Sequence, residues 1–450
     1  MPPQKQRSGN TYWRYVLGLI SVTFVLNAGL SFLVPFVPLS LVRWIVMGLA
    51  LGVGIIIITF GAGMRPRAVA PEAYWAAGAV VGFWGITVPI SESIVLSTLK
   101  WGAMVAQVVI FVYLGVRLLS VAEWRKIFVY SFFFLCIPVV LAGVSLLLGQ
   151  NPLRPYPMYV HGRLAAVTGP NTLGLVAALS GVAALWMQEG CARRTWKWRL
   201  FVSLLGLSVF ELYLTGSRTA ALAFAGGSVV WAVATRRSAW IVLVVVLVGA
   251  LFAFSEPEPI QSTARYQLGG ELREDPFRTE ALTESRDQVW AASYESWTQK
   301  PWFGYGYGRT GQDFTLRSVT RAVMAVRDGS GYLGLLESVG AVGTLALLFL
   351  YGVLARYIWN GIQAWRAGRR DVRVWVLLTG GTFVAALAVH AGGEPWIIGP
   401  GSFMHVFFWA SIAALMAARS DLWEDARLRM RQQRRSKNEV MYKGAPSTGK

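Results

Sequence analysis

Charged residues and cysteines are scarce in this chain. Only 14% of its 450 residues are Asp, Glu, Lys or Arg, whereas a soluble globular protein of this length carries about 25%. The two cysteines, Cys136 and Cys191, make neither a disulfide framework nor a metal-ligand set. The shortage of charge excludes an ordinary soluble domain, and the shortage of cysteine excludes a fold built on disulfides.

Long hydrophobic runs occupy most of the chain instead. Runs of roughly 18–25 apolar residues recur from end to end, and each can cross a hydrocarbon core of about 30 Å as a helix. We predict an all-α polytopic membrane protein with about twelve transmembrane helices and one long, partly helical extracytoplasmic loop. The helices are expected at 14–34, 41–61, 73–90, 99–118, 127–148, 171–187, 199–215, 218–235, 239–254, 330–355, 373–390 and 402–418.

The distribution of Lys and Arg predicts the orientation. Basic connections alternate with connections that are poor in Lys and Arg, and short basic loops stay in the cytoplasm. Both termini are therefore expected in the cytoplasm, and the first run is too long for a cleaved signal peptide. The basic connections are 62–72, 117–126, 188–199, 236–237 and 356–373. The expected organisation is nine helices in 1–254, the extracytoplasmic loop in 255–329, three helices in 330–418 and a basic cytoplasmic tail in 419–450.

The net charge of +19 does not indicate a nucleic-acid partner. It arises in the cytoplasmic connections and in the tail 419–450, which holds nine Lys and Arg against four Asp and Glu. Positive-inside charge and attraction to anionic lipid explain this excess. The partner that it indicates is the lipid bilayer.

The segment 255–329 is too long to be a simple connection. It holds eleven of the 23 acidic residues of the chain together with nine Lys and Arg, and this mixture is typical of a folded segment. Residues 285–288 read Ser-Arg-Asp-Gln, the pattern of a capping box that opens a helix, and Pro301 lies just beyond the expected end of that helix.

The expected loop helix has an aromatic face. Trp290, Tyr294 and Trp297 are spaced so that they share one side, and Arg286 lies one turn before Trp290. One interpretation is a helix that lies on the membrane interface with aromatic anchors. The other is a helix that covers a site and directs Arg286 into it, and the two interpretations are compatible.

A stretch rich in glycine and tyrosine follows at 302–311. Gly306, Gly308 and Gly311 match the spacing GxGxxG. No buried strand precedes them and the segment is expected outside the cytoplasm, which excludes a dinucleotide site. We predict a loop whose backbone approaches its neighbours closely and whose aromatic faces, such as that of Tyr305, stack on sugar rings.

One arginine breaks the charge rule. Arg218 lies between two apolar runs on the predicted non-cytoplasmic side, where short loops avoid Lys and Arg. A guanidinium at the edge of the bilayer is costly, and a common reason to keep one there is an anionic ligand such as a phosphate. The alternative is a side chain that reaches a lipid phosphate. Glu211, two turns earlier, is expected to pair with Arg218 and orient it.

Four short motifs stand in order between residues 160 and 345. They are Arg163 before Gly169-Pro170-Asn171, the turn Thr215 to Thr219, Arg286 with Trp290 and the Pro301 to Gly306 segment, and Gly331-Tyr332-Leu333 with Glu337, Gly340 and Gly343. In these motifs and in its topology, the chain resembles the O-antigen ligase and O-antigen polymerase superfamily of bacterial envelope proteins.

The resemblance implies a metal-independent glycosyltransferase, without a cofactor, in the bacterial cytoplasmic membrane. Such an enzyme moves a glycan from a polyprenyl diphosphate onto an acceptor hydroxyl of a glycan, a lipid or a protein at the outer face. By these motifs, the resemblance implies that Arg218 and Arg286 are catalytic and that Arg163 binds the diphosphate. Fixed guanidinium groups stabilise the negative charge of a leaving group, and the predicted external segments hold no DxD pair or His/Asp cluster that indicates a metal.

The acceptor side departs from the family pattern. The family's loop carries a His before the last motif, whereas residues 327–332 contain none. Asp328 is the nearest residue that can accept the proton of the acceptor hydroxyl, and His161, in the loop of Arg163, is the other candidate. The difference favours a polymerase-like or divergent transferase over a strict lipid A ligase.

Other polar residues are candidates of lower specificity. His390 and Glu394 flank a short external turn and His405 lies in the last run. Ionisable groups at this depth are functional candidates, and a structural hydrogen bond explains each of them equally well. Further substrate contacts are expected at Asn171, Trp290, Tyr305 and Tyr332.

Two other functions fit the same topology. An anion transporter, for example for bicarbonate, would use the arginines to bind the transported ion, and a non-catalytic envelope-assembly protein would give them no chemical role. Transporters often show internal repeats and polar groups at the membrane midplane. This sequence shows no repeat between its halves and collects its polar residues at one face, which favours a one-sided catalytic site.

Overall fold

The computed structural model describes residues 9–27, 39–60, 71–151, 158–160, 163–166, 168–253, 290–308 and 330–443. Twelve principal helices follow one another in these ranges, and a shorter helix at 290–299 precedes the tenth. The twelve are α1 (Gly9–Asn27), α2 (Leu39–Phe60), α3 (Pro71–Ile86), α4 (Ile94–Leu118), α5 (Val121–Leu148), α6 (Pro170–Glu189), α7 (Trp196–Thr215), α8 (Arg218–Thr235), α9 (Ser238–Ala253), α10 (Gly331–Arg366), α11 (Val372–Ala391) and α12 (Phe403–Lys443). A two-stranded hairpin, β1 (Tyr159–Val160) and β2 (Arg163–Leu164), lies between α5 and α6.

Each of the twelve predicted spans coincides with a helix, so the expected all-α polytopic membrane fold is confirmed. Ten of the helices in the described ranges are long and apolar enough to cross a membrane. The other two are α1, which is less apolar, and α9, which has 16 residues. Most of α6, α11 and the first part of α12 (Phe403–Glu424) is buried within the protein, whereas α2 and α7 leave most of their surface outside it. The first three therefore form the centre of the bundle, and the last two lie at its edge.

Local sequence signals determine several helix ends. Ser120 and Glu123 form a capping box at the start of α5. Pro170 occupies the first turn of α6, where no amide donor is needed. The carboxylate of Asp371 accepts two amide hydrogen bonds at the start of α11. At the other end of the chain α12 continues to Lys443, so the predicted basic tail 419–450 begins inside a helix.

A π-helical segment, Val109–Gly115, interrupts α4. The carbonyl of Ile110 in this segment accepts a hydrogen bond of 2.8 Å from the phenol of Tyr12 on α1. Turns of this kind occur inside α-helices as local bulges, frequently next to functional residues. Gln107, a fully buried amide, lies one turn or less before the segment.

The second interruption is in α10, at Gly340. Its φ of 67° and ψ of −169° are outside the helical region. In a continuous helix, the carbonyls of Glu337 and Ser338 would accept from the amides of Ala341 and Val342. The break separates these four groups, and buried backbone groups need other partners.

The segment 301–306 supplies all four partners. The amides of Tyr305 and Gly306 donate to the two carbonyls of α10, at 2.9 and 2.8 Å. The carbonyls of Pro301 and Trp302 accept from the two amides of α10, at 2.8 and 3.2 Å. The loop segment therefore completes the hydrogen bonding of the broken helix, and non-helical backbone at this depth is tolerated for that reason.

This close docking predicts a stability difference between two glycine variants. A Cβ on Gly304, where φ is 63°, would lie 2.6 Å from the carbonyl carbon of Ser338. Gly149 has a φ of 62° and no atom within 4 Å of its Cβ position, so its variant carries only the backbone strain of about 1 kcal/mol. We expect Gly304→Ala to lower the melting temperature of the solubilised protein clearly more than Gly149→Ala. Equal shifts would contradict the docking of the segment on α10.

Candidate functional site

The predicted site residues that the structure describes lie toward one end of the bundle. There α5, α7 and α11 end and α6, α8 and α10 begin. We call this the site end. The hairpin, the turn between α7 and α8, and the connection 392–402 between α11 and α12 all lie at it.

The turn between α7 and α8 carries Arg218. α7 ends at Thr215, and Gly216 takes a left-handed φ of 56° that reverses the chain. Ser217 packs on α6 at Gly174, where a Cβ would come within 2.7 Å of the Ser217 Cβ. Arg218 is the first residue of α8, and its side chain is exposed. The tight turn thus places a guanidinium at the surface of the site end.

Arg163 is held against the same turn. Its Nε donates to the carbonyl oxygen of Thr215 at 2.6 Å, and its Nη2 donates to Oδ1 of Asn171 at 2.7 Å. The Nδ2 of Asn171 then donates to Oε1 of Glu394 at 3.0 Å. Two acceptors fix the plane of the guanidinium, and the connection 392–402 fixes the asparagine.

The connection 392–402 is surrounded by helix starts. Gly393 packs on the methyl group of Thr219 in the first turn of α8, where a Cβ could not fit. A Cβ on Gly331, the first residue of α10, would lie 2.6 Å from the carbonyl oxygen of Ala391 and 2.8 Å from that of Glu394. The starts of α6, α8 and α10 therefore meet around this connection. Helix starts carry positive partial charge, but α7 and α11 end in the same region, so the guanidinium groups of Arg163 and Arg218 supply its attraction for an anion.

The structure brings three of the predicted residues together: Arg163, Asn171 and Arg218. Arg286, Asp328 and His161 lie outside the described residues, and their roles stay predictions. Trp290 is half-buried at the start of the described part of the loop helix. The rings of Tyr294 and Trp297 are 5.5 Å apart, which confirms that these two share one face.

Tyr305 lies in the docked segment rather than beside Arg163. Its phenol donates to Oε1 of Gln299 at 2.8 Å, and the ammonium of Lys300 lies 4.3 Å from its ring centroid. Tyr307, two residues later, is fully buried with its ring 5.1 Å from that of Trp84, and burial raises the pKa of its phenol. Of the two tyrosines, only Tyr305 keeps an accessible ring.

The predicted close approach of the glycine-rich loop is confirmed. A Cβ on Gly306 would lie 2.5 Å from the Cα of Ser91, and one on Gly308 would lie 2.7 Å from the Cδ of Lys100. Both glycines have positive φ, 104° and 81°. The buried ammonium of Lys100 donates to the carbonyl oxygen of Gly308 at 3.1 Å, which ties the loop to α4.

One predicted contact is different in the structure, and another stays a prediction. The phenol of Tyr332 donates to the carbonyl oxygen of Ala388 at 2.6 Å, and its expected contact with the substrate stays a prediction. The expected pair of Glu211 with Arg218 is wrong: both oxygens of the buried Glu211 lack a hydrogen-bond partner among the described residues, and the carboxylate faces Gly143 on α5. The physical reason is the reversal at Gly216, which sends α8 away from the face that Glu211 occupies.

A second polar cluster at the site end was not predicted. The buried Arg43 of α2 donates from Nη1 to the carbonyl oxygen of Gly401 at 2.8 Å, and Nε2 of Gln107 donates to that of Pro400. Nδ1 of His405 lies 2.7 Å from Oε1 of Gln107. A sequence signal existed, because Arg43 is also a basic residue at the start of a span, on the side that the charge rule predicts to be non-cytoplasmic.

Comparison with known proteins agrees with the motifs. Residues 202–348 match the family described as O-Antigen ligase. This range contains most of α7, the turn with Arg218, α8, the docked segment 301–306 and the broken part of α10. No curated protein gives a significant match to the chain. The resemblance to the O-antigen ligase and polymerase superfamily is therefore confirmed, through a family domain at residues 202–348.

Proposed function

We propose that this protein is a metal-independent glycosyltransferase that moves a glycan from a polyprenyl diphosphate onto an acceptor hydroxyl. The observation that carries the proposal is the clamped Arg163, which contacts the turn that presents Arg218 inside the O-antigen ligase segment. Two guanidinium groups close to one turn can bind an anion of high charge density such as a diphosphate.

The site end is proposed to face the outer side of the bacterial cytoplasmic membrane. The basic connections lie at the opposite end of the helices, so the positive-inside rule supports this orientation. A lipid carrier in the bilayer can then present its diphosphate at the edge of the hydrocarbon region, where Arg218 is exposed. The glycan extends away from the membrane toward the segment that begins at the loop helix.

The reaction exchanges one bond to the anomeric carbon for another. The oxygen of the acceptor hydroxyl forms a bond to this carbon, and the bond from the carbon to the diphosphate oxygen breaks. The electron pair leaves with the diphosphate, and the arginines stabilise the charge that develops there. Arg163 needs no rearrangement during this step, because Thr215 and Asn171 already hold it. Asp328 and His161 are the proposed acceptors of the hydroxyl proton, and Arg286 is proposed as a third cation.

The test uses the full chain in liposomes with a polyprenyl-diphosphate glycan on the outside. We expect formation of a glycosylated acceptor and release of one polyprenyl diphosphate for each transfer. Bicarbonate flux without transfer would support the transporter instead, and absence of both activities would support the assembly protein. In a deletion strain, shortened surface chains indicate a polymerase, and a bare lipid core indicates a ligase.

A further inference from the structure

The connection 392–402 lies between two α-helices at the site end and is largely buried. Its residues from Trp396 to Gly401 are all buried, in the region that joins two central membrane helices. Backbone polar groups at such depth must find partners inside the protein. The partners of this connection therefore show what holds it in place.

The backbone amides in the first part of the connection find hydrogen-bond partners close by in the chain. The amides of Gly393 and Glu394 donate to the carbonyl oxygen of His390, at 3.2 and 3.1 Å. Residues Pro395–Ile398 form a 3-10 helix, and the amide of Gly399 donates back to Trp396 at 2.9 Å. One compact turn thus joins Glu394 to Pro400. Because this turn is hydrogen-bonded internally, a shift of Pro400 is expected to shift Glu394 as well.

The second part depends on side chains from other helices. The carbonyl oxygen of Gly401 accepts from Arg43 of α2 at 2.8 Å, and that of Pro400 accepts from Gln107 of α4. Both donors are fully buried or nearly so, with exposed fractions of 1% and 0%. A buried guanidinium is costly, so its hydrogen bond to this backbone turn indicates that the position of the turn matters.

The donors are themselves held in place. Nδ1 of His405 lies 2.7 Å from Oε1 of Gln107, and the Arg43 guanidinium lies 4.9 Å from the ring centroid of Trp44. Gln107 also lies just before the π-helical segment, which turns this part of α4 relative to the rest. The amide side chain is therefore directed at the connection by two separate features.

We infer that Arg43 and Gln107 are positioning residues that act on Arg163 through the connection 392–402. The path runs from Pro400 and Gly401 through the 3-10 turn to Glu394, and from there through Asn171 to the guanidinium. The inference rests on the proposed function, because it takes Arg163 to bind the diphosphate. It adds a second layer of residues, on α2 and α4, outside the O-antigen ligase segment.

The first test compares donor kinetics of variants. Arg43→Met and Gln107→Met each remove one hydrogen-bond donor, and we expect each to raise the KM for the lipid-linked substrate by about tenfold, the effect of one lost hydrogen bond. kcat should change much less, because the reacting groups are untouched. Arg43→Lys keeps a donor and should restore a KM near that of the wild type. Gln107→Met keeps the test available if Arg43→Met does not fold.

A control variant breaks another contact between an arginine and a backbone carbonyl, at an exposed position. Arg366 donates from Nε to the carbonyl oxygen of Val233 at 2.9 Å, at the end of α8 opposite to Arg218. Arg366→Met also breaks a hydrogen bond between an arginine on one helix and a backbone carbonyl on another. We expect it to leave the KM for the lipid-linked glycan donor unchanged. An equal rise in KM for Arg366→Met would overturn the inference, since the effect would then be general destabilisation.

A double-mutant cycle tests the path. If Arg43 acts through Asn171, the variant Arg43→Met with Asn171→Ala should have the same donor KM as Asn171→Ala alone. Multiplicative effects of the two substitutions on KM would overturn the path.

Hydrogen exchange separates this inference from the proposed function. We expect Arg43→Met, and not Arg366→Met, to accelerate amide exchange in 392–402. Unchanged exchange would overturn the anchoring, and faster exchange with a normal KM would overturn its effect on the site. If Asn171→Ala and Arg163 variants leave the donor KM unchanged while exchange responds, the proposed function fails and the anchoring stands.

Discussion

Arg218→Lys is expected to reduce glycan transfer by about 10²–10³-fold, the effect of losing one fixed donor to a developing anion, while the protein inserts and folds normally. The exposed side chain makes no buried packing contribution, so stability should not change. Lysine keeps the charge and loses the planar, forked donor set that matches a diphosphate. The backbone of the turn also keeps its shape, because Gly216 and Ser217 determine it.

The control for this variant lies at the other end of the same helix. Arg236 is an exposed arginine that caps α8, beyond Thr235. Arg236→Lys makes the same chemical change outside the site and should leave transfer unchanged. Both proteins are measured by release of polyprenyl diphosphate from a lipid-linked donor and by melting temperature. Normal transfer by Arg218→Lys would remove Arg218 from the catalytic assignment.

Arg163→Met is expected to cause a loss of similar size, about 10²-fold in kcat/KM. This substitution removes the charge and leaves the Thr215 carbonyl and the Asn171 amide oxygen without their donor. A smaller loss is expected for Asn171→Ala, because the arginine keeps its contact with Thr215. The order of the two effects, larger for Arg163→Met, distinguishes direct binding from support.

Asn151→Ala provides the matched control for the hairpin. The Nδ2 of Asn151 donates to the carbonyl oxygen of Ala166 at 3.0 Å, just after the strand that carries Arg163. Its removal loosens the same loop without touching the guanidinium. We expect kcat/KM to fall by less than about threefold. A loss equal to that of Arg163→Met would mean that loop rigidity, rather than the charge, determines transfer.

The helices, and the position of Arg218 in a short turn between two of them, were predictable from the sequence for simple physical reasons. Apolar runs of membrane length have to form helices, since the bilayer core offers no water to backbone groups. Charge placement identified Arg218, because the positive-inside rule makes a basic residue in a short external turn conspicuous. These signals depend only on neighbours in sequence.

The contacts that organise the site were not predictable in the same way. Asn171 and Glu394 are 223 positions apart, and nothing near either residue indicates the other. The spacing of Glu211 and Arg218 predicts an ion pair. In the structure the left-handed turn at Gly216 directs α8 away from Glu211, so the pair does not form. The partners of Pro400 and Gly401 depend on how α4 packs on α2 and on α12, which is a tertiary property.

The break in α10 has a consequence for the order of biosynthesis. The segment 301–306 precedes α10 in the chain, so it leaves the ribosome before the carbonyls of Glu337 and Ser338 and the amides that follow Gly340. When α10 enters the bilayer, the four groups that its break exposes already have their partners synthesised. A permuted chain with this segment after α10 would have to insert an interrupted helix with open hydrogen-bonding groups, at a cost of several kcal/mol for each group. The position of the loop before its helix thus suits a membrane protein that is inserted as it is made.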